Sequence, residues 1–322
     1  LDRTLGKGPD APVDLPGALN ALAASLSGLP VPPIAGHVGF DIPGIVVGGN
    51  ILSDLRLDVG TAADGWSVDT LSAVLPGQTQ LAAQGKVTIR PALDFTGDVA
   101  LSVPQPATLL SWWMPDRPKT ALDPFEAKGK LDASPAGFVL SNLAAKLKDG
   151  KLAGDVEFTP GRPKLNPRLT LALDADQLDV ADISAVAKLF AGSGGDRGAG
   201  PDVIVQAAVG NLIAGDARAE GVDISASLIN STLDVDRLFV RSLSGARLTA
   251  AGTIRDVTTV PDGSVQLRLS AEKMDGVADL MRAVLPDAKA TQLFRTAAPF
   301  LSPTSIEATV LAKASGQGTD VR

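Results

Sequence analysis

The sequence predicts a mainly β protein: one elongated, strongly curved antiparallel sheet, a β-groove or taco, made of repeated modules with a few short α-helices. Three observations predict this fold. After about residue 37, apolar and polar residues alternate with a period of two over most of the chain, as in strands with one buried face. Helical periodicity is confined to short stretches. A hairpin-like sequence recurs as LPGQTQLAAQGKVTIR, LKDGKLAGDVEF and LSGARLTAAGTIR at residues 75–90, 147–158 and 243–255.

The first predicted element is a short amphipathic helix within residues 1–28. Asp14 can cap it, Pro16 suits its first turn and Gly28 ends it. Its apolar face consists of Leu19, Leu22 and Leu26. From residue 37 the period changes to two, which predicts strands at VGFDI, NILSDLRLDVG, WSVDTLSAVL, KVTIR and ALDFTGDVALSV.

A second helix is predicted where prolines interrupt the strands, in PQPATLLSWWMP. It carries Trp112 and Trp113, which point about 100° apart on a helix, so one of them packs and the other lies at an edge. We call this the rim helix. Two interpretations remain open: the helix plugs one end of a module, or it forms an amphipathic lip that gates a groove or contacts a membrane or partner.

Strands then resume at FEAKGKLDAS, GFVLSNLAAKL, KLAGDVEF and PRLTLALDAD, followed by a helix at VADISAVAKLF. Residues 190–202 contain five glycines and predict a flexible link. A further set of strands precedes the helical patterns VADLMRAVLP and TQLFRTAAPFL and a last strand, IEATVLAK. We expect one elongated repeat domain over residues 1–322, with modules at about 1–115, 116–192 and 203–286 and a partial module at 287–322.

Glycines recur at matched places in the three hairpins. Those predicted to occupy hairpin corners with positive φ are Gly77, Gly150 and Gly245. Those predicted to mark a bulge or sharp bend near a strand start are Gly85, Gly154 and Gly252. Repeated bending at these places would curl the sheet.

Composition excludes several function classes. A net charge of -7 and a pI near 4.8 argue against a nucleic-acid partner. The chain has no cysteine and a single histidine, His37, so thiolate sites and a zinc site of two or three imidazoles cannot form; His37 itself reads as an ordinary surface or edge residue. No apolar stretch approaches the roughly 20 residues needed to span a bilayer.

The signals for an enzyme are weak. Carboxylate pairs at Asp174/Asp176 and Asp234/Asp236 share the polar face of a strand, as solvated residues do. DADQLDVAD lacks the glycine of a calcium loop, and the S-x-x-K match at Ser270–Lys273 lacks its companion motifs. We therefore predict a protein without enzymatic activity, catalytic residues, metal or cofactor.

Three stretches resemble a known family: WSVDTLSAVLPGQTQLAAQGKV, PQPATLLSWW and LKDGKLAGDVEFTPGRPKLNPRLTLALDADQLDVADI, which together cover most of residues 45–190. They are similar to the AsmA-like proteins of Gram-negative bacteria, relatives of the bridge-like lipid-transfer proteins. The resemblance implies a periplasmic location, an inner-membrane anchor N-terminal to Leu1, a taco-shaped sheet with an apolar channel, and a part in phospholipid transport or outer-membrane homeostasis. It implies phospholipid or another lipid as partner, with an envelope protein as a further candidate.

The apolar residues of the alternating strands are candidates for the inner wall of such a groove. The candidate residues are Leu55, Leu57, Val87, Ile89, Val99, Leu101, Leu169, Leu171, Leu173, Val265, Leu267 and Leu269. Alternation alone favours the core of a closed sandwich or barrel, and the resemblance favours the groove. Two other functions remain open: a polysaccharide-binding protein, for which clustered aromatic residues would be expected, and a mechanical envelope scaffold filled by its own side chains.

Overall fold

The computed structural model describes residues 36–62, 65–88, 93–114, 122–162, 165–190, 201–215, 217–243, 245–257, 259–271, 304–312 and 320–321. Within these residues the chain forms two helices and sixteen strands, the last of them only two residues long. The helices are α1 (Pro106–Trp113) and α2 (Val180–Phe190). The first eight strands are β1 (His37–Val47), β2 (Asn50–Ala62), β3 (Gly65–Leu75), β4 (Thr79–Thr88), β5 (Asp94–Val103), β6 (Phe125–Ser134), β7 (Gly137–Lys146) and β8 (Lys151–Thr159). The others are β9 (Arg168–Asp179), β10 (Asp202–Ala214), β11 (Ala217–Ile229), β12 (Thr232–Leu243), β13 (Ala246–Arg255), β14 (Asp262–Ala271), β15 (Thr304–Ala312) and β16 (Asp320–Val321).

The hydrogen-bonded order of the strands follows the chain, from β1 to β16 in one sheet. Within the described residues the sheet does not close on itself, since β1 and β16 stand at opposite ends of that order. The predicted fold class, mainly β with successive strands in one open sheet and few short helices, is confirmed. Both helices match predicted ones, PQPATLLSWWMP and VADISAVAKLF, whereas the predicted helices at 14–28, 277–286 and 291–301 lie outside the described residues.

One strand pair departs from the antiparallel prediction. β9 and β10 are parallel, with Arg168 opposite Asp202 and Leu173 opposite Ala207. All the other pairs whose register is described are antiparallel. Parallel neighbours need a crossover connection of a dozen residues or more, and the chain between β9 and β10 supplies one that contains α2.

The chain divides into two compact units. Unit 1 comprises Leu1–Lys148 and Asp155–Thr159, and unit 2 comprises Asp149–Gly154 and Pro160–Arg322. The division falls within β8, whereas the predicted module boundaries fall between other elements; those boundaries remain predictions. Residues 191–200 of the predicted flexible link lie outside the described residues.

Unit 1 has its most buried cluster at one end of the strands. Val103 follows the alternation of β5 and is 1% exposed, and it packs with Leu109 and Trp112 of α1. Proline at the start of α1 suits a first turn, and the helix ends where the Met114 N–H donates to the carbonyl of Leu110. The partly buried residues packed on this cluster are Val47, Leu52, Leu75, Leu101 and Phe125.

Unit 2 also has a buried cluster in which residues from several strands meet. Leu243 and Ala246 lie on either side of the β12–β13 hairpin, and they are 1% and 0% exposed. The other buried members are Ala175, Val209, Ala219, Val222, Val240, Leu269 and Ala271. α2 packs on β9 and β10. Beyond this cluster, most apolar residues of unit 2 are only half-buried.

β-Bulges interrupt several strands where the apolar spacing changes from two to three. In β3 the register shifts between Val68 and Leu71, and in β12 it shifts between Val235 and Leu238. A bulge adds one residue to a strand, so the next apolar side chain returns to the same face. Asn142 in the β7 bulge has φ of 53°, and its N–H donates to Asp155 Oδ1 at 3.0 Å.

The glycine predictions are partly confirmed. Gly77 and Gly245 have positive φ, of 76° and 93°, as predicted for hairpin corners. The prediction was wrong for Gly150, whose φ is not positive; a Cβ there would meet the carbonyl oxygen of Gln177 instead. Gly85 and Gly252 do not bulge themselves. They pair with Val68 and Val235, at the edges of bulges in the neighbouring strands.

Candidate functional site

Unit 1 carries an apolar face that runs continuously across its strands. Phe40, Leu57, Leu71, Ala83 and Val99 stand directly opposite one another, in that order, from β1 to β5. Because residues opposite each other in register share a face, these side chains form one row. Parallel rows lie on either side, so the face is a two-dimensional apolar surface. The row toward α1 contains Ala73, Leu81, Leu101 and Ala127.

The structure brings together five of the residues predicted to line a groove in this unit. All five lie on the apolar face and are half-buried. They are Leu55, Leu57, Val87, Val99 and Leu101. Ile89, predicted with them, lies outside the described residues. Half-burial at the middle of a sheet means that these side chains contact their strand neighbours while part of each remains accessible.

The rim helix α1 closes one end of this face. Trp112 is buried against the end of the sheet, and its Nε1 donates a 2.9 Å hydrogen bond to the Val47 carbonyl oxygen. Trp113 points outward and is 42% exposed. Both predicted features therefore occur: one indole packs at the end of the face, and its neighbour stands at an edge. Leu109, one turn before Trp112, completes the covered part.

A row of aromatic side chains lies toward the other end of the face, and the sequence did not predict it. Trp66 stands opposite Val87, which stands opposite Phe95. On the other side of Phe95, Ala133 of β6 stands opposite it, and Phe138 of β7 stands opposite Ala133. The ring centroid of Phe138 is 5.6 Å from that of Phe158. The sequence feature that could have predicted this row is the position of each aromatic residue near the end of a strand.

The opposite face of unit 1 is polar. Alternate residues of β4, β5 and β6 point there and are exposed, among them Gln84, Asp98, Lys128 and Lys130. A cavity of about 530 Å³ opens among these side chains, over a floor that includes Gly129. Its lining also includes Leu71, Ala83 and Val99 of the apolar row.

Unit 2 carries a second apolar face with the same construction. Leu171 of the parallel strand β9 begins a row that passes through Val205, Ala226 and Val235. The row continues through Gly252 to Val265. A neighbouring row joins Leu173 and Leu267, again through one residue on each intervening strand.

The six predicted wall residues of unit 2 thus belong to one face, although they come from two strands far apart in the sheet. Leu171, Leu173, Val265 and Leu267 are half-buried. Leu169 and Leu269 are 7% and 5% exposed, and Leu269 belongs to the buried cluster. These two side chains offer little surface to a ligand, because their neighbours already cover them.

The carboxylates considered for catalysis or calcium binding make hydrogen bonds that organise strands. Asp176 Oδ1 accepts from the Lys151 backbone N–H. Asp234 accepts from Thr253 Oγ1 at 3.1 Å, and Asp236 accepts from Ser225 Oγ at 3.2 Å. In the part of the chain that the structure describes, no three His, Cys, Asp or Glu side chains are grouped as metal ligands.

Other charged residues pair on exposed surface. His37 Nδ1 lies 3.0 Å from Asp69 Oδ2. Arg56 Nε donates a 2.9 Å hydrogen bond to the Asp58 carboxylate, which raises the pKa of the Arg56 guanidinium further above its usual value. Arg56 was already always charged, so this shift leaves its charge unchanged. These pairs are exposed and contribute little to stability.

No protein-family model, curated protein or solved structure matches the chain. Of the helices in the described ranges, neither has the length and apolar character required to cross a membrane.

Proposed function

We propose that this chain binds lipid acyl chains on its apolar faces and acts without catalysis, as an AsmA-like protein of the periplasm that contributes to phospholipid transport or outer-membrane homeostasis. The observation that carries the proposal is the pair of continuous apolar rows. Each crosses several strands in register, and its aliphatic side chains stay half-buried. In unit 1, α1 is the only helix among the described residues, and it covers one end of the face.

A sheet with one apolar face needs a second layer on that face. Where the protein supplies only part of that layer, an apolar ligand can supply the rest. Transfer from water stabilises an acyl chain by about 0.8 kcal/mol per methylene group, so a 16-carbon chain would gain on the order of 10 kcal/mol before the entropy costs of binding. That gain is large enough to hold a phospholipid.

The composition of the rows suits transit of a lipid better than storage of one. Their side chains are mainly Ala, Val and Leu, as in the Leu57, Leu71, Ala83 and Val99 row. Aliphatic contacts are non-directional and fix no single pose along the row. The aromatic row of Trp66, Phe95 and Phe138 lies at the end away from α1, where it would contact one end of a bound chain.

The location and the anchor rest on the resemblance to AsmA-like proteins. The proposal places the chain in the periplasm, attached to the inner membrane through a segment N-terminal to it, with phospholipid or another lipid as ligand and an envelope protein as a further candidate partner. The net charge of -7 supports the exclusion of nucleic acid as a partner.

Lipid extraction from the purified protein, followed by mass spectrometry, tests this function. We expect phospholipid at a stoichiometric level. Val99→Asp places a charge on the apolar face of β5 and should reduce the bound lipid several-fold. Ala100→Asp is the matched control, since Ala100 is the next residue and is exposed on the polar face.

Lipid-free protein, or equal lipid in the two folded variants, would overturn the proposal. Circular dichroism establishes that both variants are folded. A folded protein that binds no lipid would favour the mechanical scaffold instead.

A further inference from the structure

Edge strand β1 directs some of its backbone hydrogen-bonding groups away from the sheet. The Thr61 N–H donates to the Gly36 carbonyl oxygen at 3.1 Å, and the pairing of β1 with β2 continues from there in one register up to Ile42. In an antiparallel ladder, pairs that exchange hydrogen bonds alternate with pairs whose N–H and C=O groups point outward. The outward groups of this segment therefore belong to three residues, which we name the outer edge: His37, Gly39 and Asp41.

The outer edge is accessible to another strand. The strand order begins at β1, so no described strand pairs with it on this side. The side chain of His37 is 80% exposed, Asp41 is exposed, and Val38 and Phe40 of the same segment are 47% and 50% exposed. Outward backbone groups beside exposed side chains form a template on which a further strand can pair.

The outer edge has a defined length. Pro43, two residues beyond Asp41, has no backbone N–H and cannot donate to an added strand. At the other end, Gly36 already bonds to Thr61 through both of its backbone groups, since its N–H donates to Thr61 Oγ1 and its carbonyl accepts from the Thr61 N–H. An added strand can therefore form the complete antiparallel pattern only with residues 37–41.

A second copy of β1 fits these limits in one register. When Gly39 faces Gly39, His37 of each copy stands opposite Asp41 of the other, and each of these pairs can exchange two backbone hydrogen bonds. A shift of two residues toward Pro43 places that proline opposite His37 and removes a donor. The opposite shift places Asp41 against residue 35, which precedes the start of β1. A shift of one residue sets outward groups against inward ones.

The side chains also match in this register. On the apolar face, Val38 stands opposite Phe40 of the second copy. On the polar face, His37 stands opposite Asp41, so a basic side chain meets an acidic one twice. Side chains directly opposite each other on antiparallel strands are in contact, and Gly39 leaves the centre of the contact free of side chains. The segment is therefore complementary to itself, which favours a second copy of the chain as its partner.

We infer that two copies of this chain associate through the outer edges of their β1 strands, antiparallel, with Gly39 opposite Gly39 on a twofold axis. The contact is isologous, because the same segment serves both copies. It extends the apolar row that ends at Phe40 through Val38 and Val59 of the second copy. The association does not depend on lipid binding.

Sedimentation velocity of the full chain from micromolar to near-millimolar concentration tests the association. One strand pair buries a small area, so we expect a reversible dimer whose fraction grows with concentration. A chain that stays monomeric over the whole range would overturn the inference.

A proline on the outer edge tests the backbone contact. Asp41→Pro removes an N–H that points away from β2, so the β1–β2 ladder should remain while the dimer is lost. Asp41→Asn is the control, because it removes the charge and keeps the N–H, and it should weaken the dimer only a few-fold. Circular dichroism establishes that both variants are folded. A folded Asp41→Pro protein that dimerises as well as Asp41→Asn contradicts the pairing.

Charge exchange tests the register without a proline. His37→Asp sets two carboxylates opposite each other at both ends of the contact and should raise the dissociation constant of the dimer at least tenfold. Adding Asp41→Lys restores opposite charges and should return the constant to within a few-fold of the unchanged protein. Asp132→Lys, added instead, makes the same change in net charge at an exposed position of β6 and should not restore it. Equal recovery with either lysine would refute the pairing of positions 37 and 41.

Disulfide cross-linking locates the second pair, because the chain has no native cysteine. Val38→Cys and Phe40→Cys are prepared as separate full chains with tags of different size, mixed and oxidised. Positions 38 and 40 face each other as a pair without backbone hydrogen bonds, where side chains approach most closely. We expect the mixed disulfide at several times the yield of either protein with itself. A mixed product no more abundant than the two self-products would exclude this register.

Discussion

Trp112 Nε1 donates a 2.9 Å hydrogen bond to the carbonyl oxygen of Val47. This bond joins α1 to the end of edge strand β1. The chain between these two elements forms the four strands β2 to β5. Trp112 is buried beside Leu109 and Val103, whereas the adjacent Trp113 is 42% exposed. The two neighbouring indoles therefore have different structural roles.

We expect Trp112→Ala to lower the free energy of unfolding by about 3 kcal/mol, because it removes a large buried side chain and leaves a cavity. Trp112→Phe keeps most of the packing but loses the hydrogen bond and should cost about 1 kcal/mol. Trp113→Ala, the control, should cost less than either. Urea denaturation followed by circular dichroism measures all three, and equal losses at positions 112 and 113 would contradict this assignment.

The strands and both described helices could be predicted because local patterns specify them. Alternation over NILSDLRLDVG predicts β2, and the prolines around PATLLSWW predict α1. The parallel pairing of β9 with β10 could not be predicted, because Leu171 presents the same side chain to a neighbour in either orientation. The direction depends on the crossover that contains α2; the helix was predicted from VADISAVAKLF, but its role as a crossover between parallel strands was not.

The apolar face was predictable in composition but not in extent. Period two places Leu55 and Leu57 on one side, as observed. The bulges that keep Val68 and Leu71 on the same face were not predicted, although their spacing of three was a visible break in the alternation. The burial of Leu269 depends on contacts with other strands and has no local signal.

The buried carboxylate of Asp202 stabilises the start of the parallel strand pair. Its Oδ1 accepts from Asn166 Nδ2 at 3.2 Å and from the Asn230 N–H at 3.0 Å, and Arg168 lies 3.7 Å from Oδ2. Asp202→Ala should lower the free energy of unfolding by about 1 to 3 kcal/mol, because both donors lose a partner. Asp202→Asn retains one acceptor and should cost less.

Asp223→Ala serves as the control for Asp202. Asp223 pairs with Arg237 at 3.7 Å, and both side chains are well exposed, so the loss should stay below about 1 kcal/mol. Chemical denaturation measures the three variants. A loss at Asp223 as large as that at Asp202 would show that burial of the carboxylate does not set its contribution.

Gly85 has no room for a side chain because two strands approach closely there. A Cβ at this position would lie 2.6 Å from the Gly97 Cα and would also meet the Thr96 carbonyl oxygen. Gly85→Ala must push backbone apart and should lower the free energy of unfolding by about 1 to 3 kcal/mol. At Gly44 a Cβ would meet its nearest neighbours at 3.8 Å, so Gly44→Ala should be close to neutral. Thermal unfolding of the two variants checks the difference, and equal melting temperatures would exclude close strand approach as the reason for glycine.

The apolar row of unit 2 allows lipid binding to be separated from stability. Leu171 lies on the apolar face and Ala172, its neighbour, is exposed on the other. Leu171→Asp should weaken binding of a fluorescent acyl-chain probe at least tenfold, because a charge in the row must be desolvated when the chain binds. Ala172→Asp adds the same charge to the same strand and should leave the affinity within about twofold of the unchanged protein.

The salt dependence of the same titration identifies the binding surface. Acyl-chain binding driven by apolar burial should not weaken between low and high ionic strength, since screening acts on charges and not on apolar contacts. Binding that involved Lys128 and Lys130 on the polar face would weaken as salt rises. Affinity that falls with salt and responds neither to Val99→Asp nor to Leu171→Asp would therefore assign the ligand to the polar face.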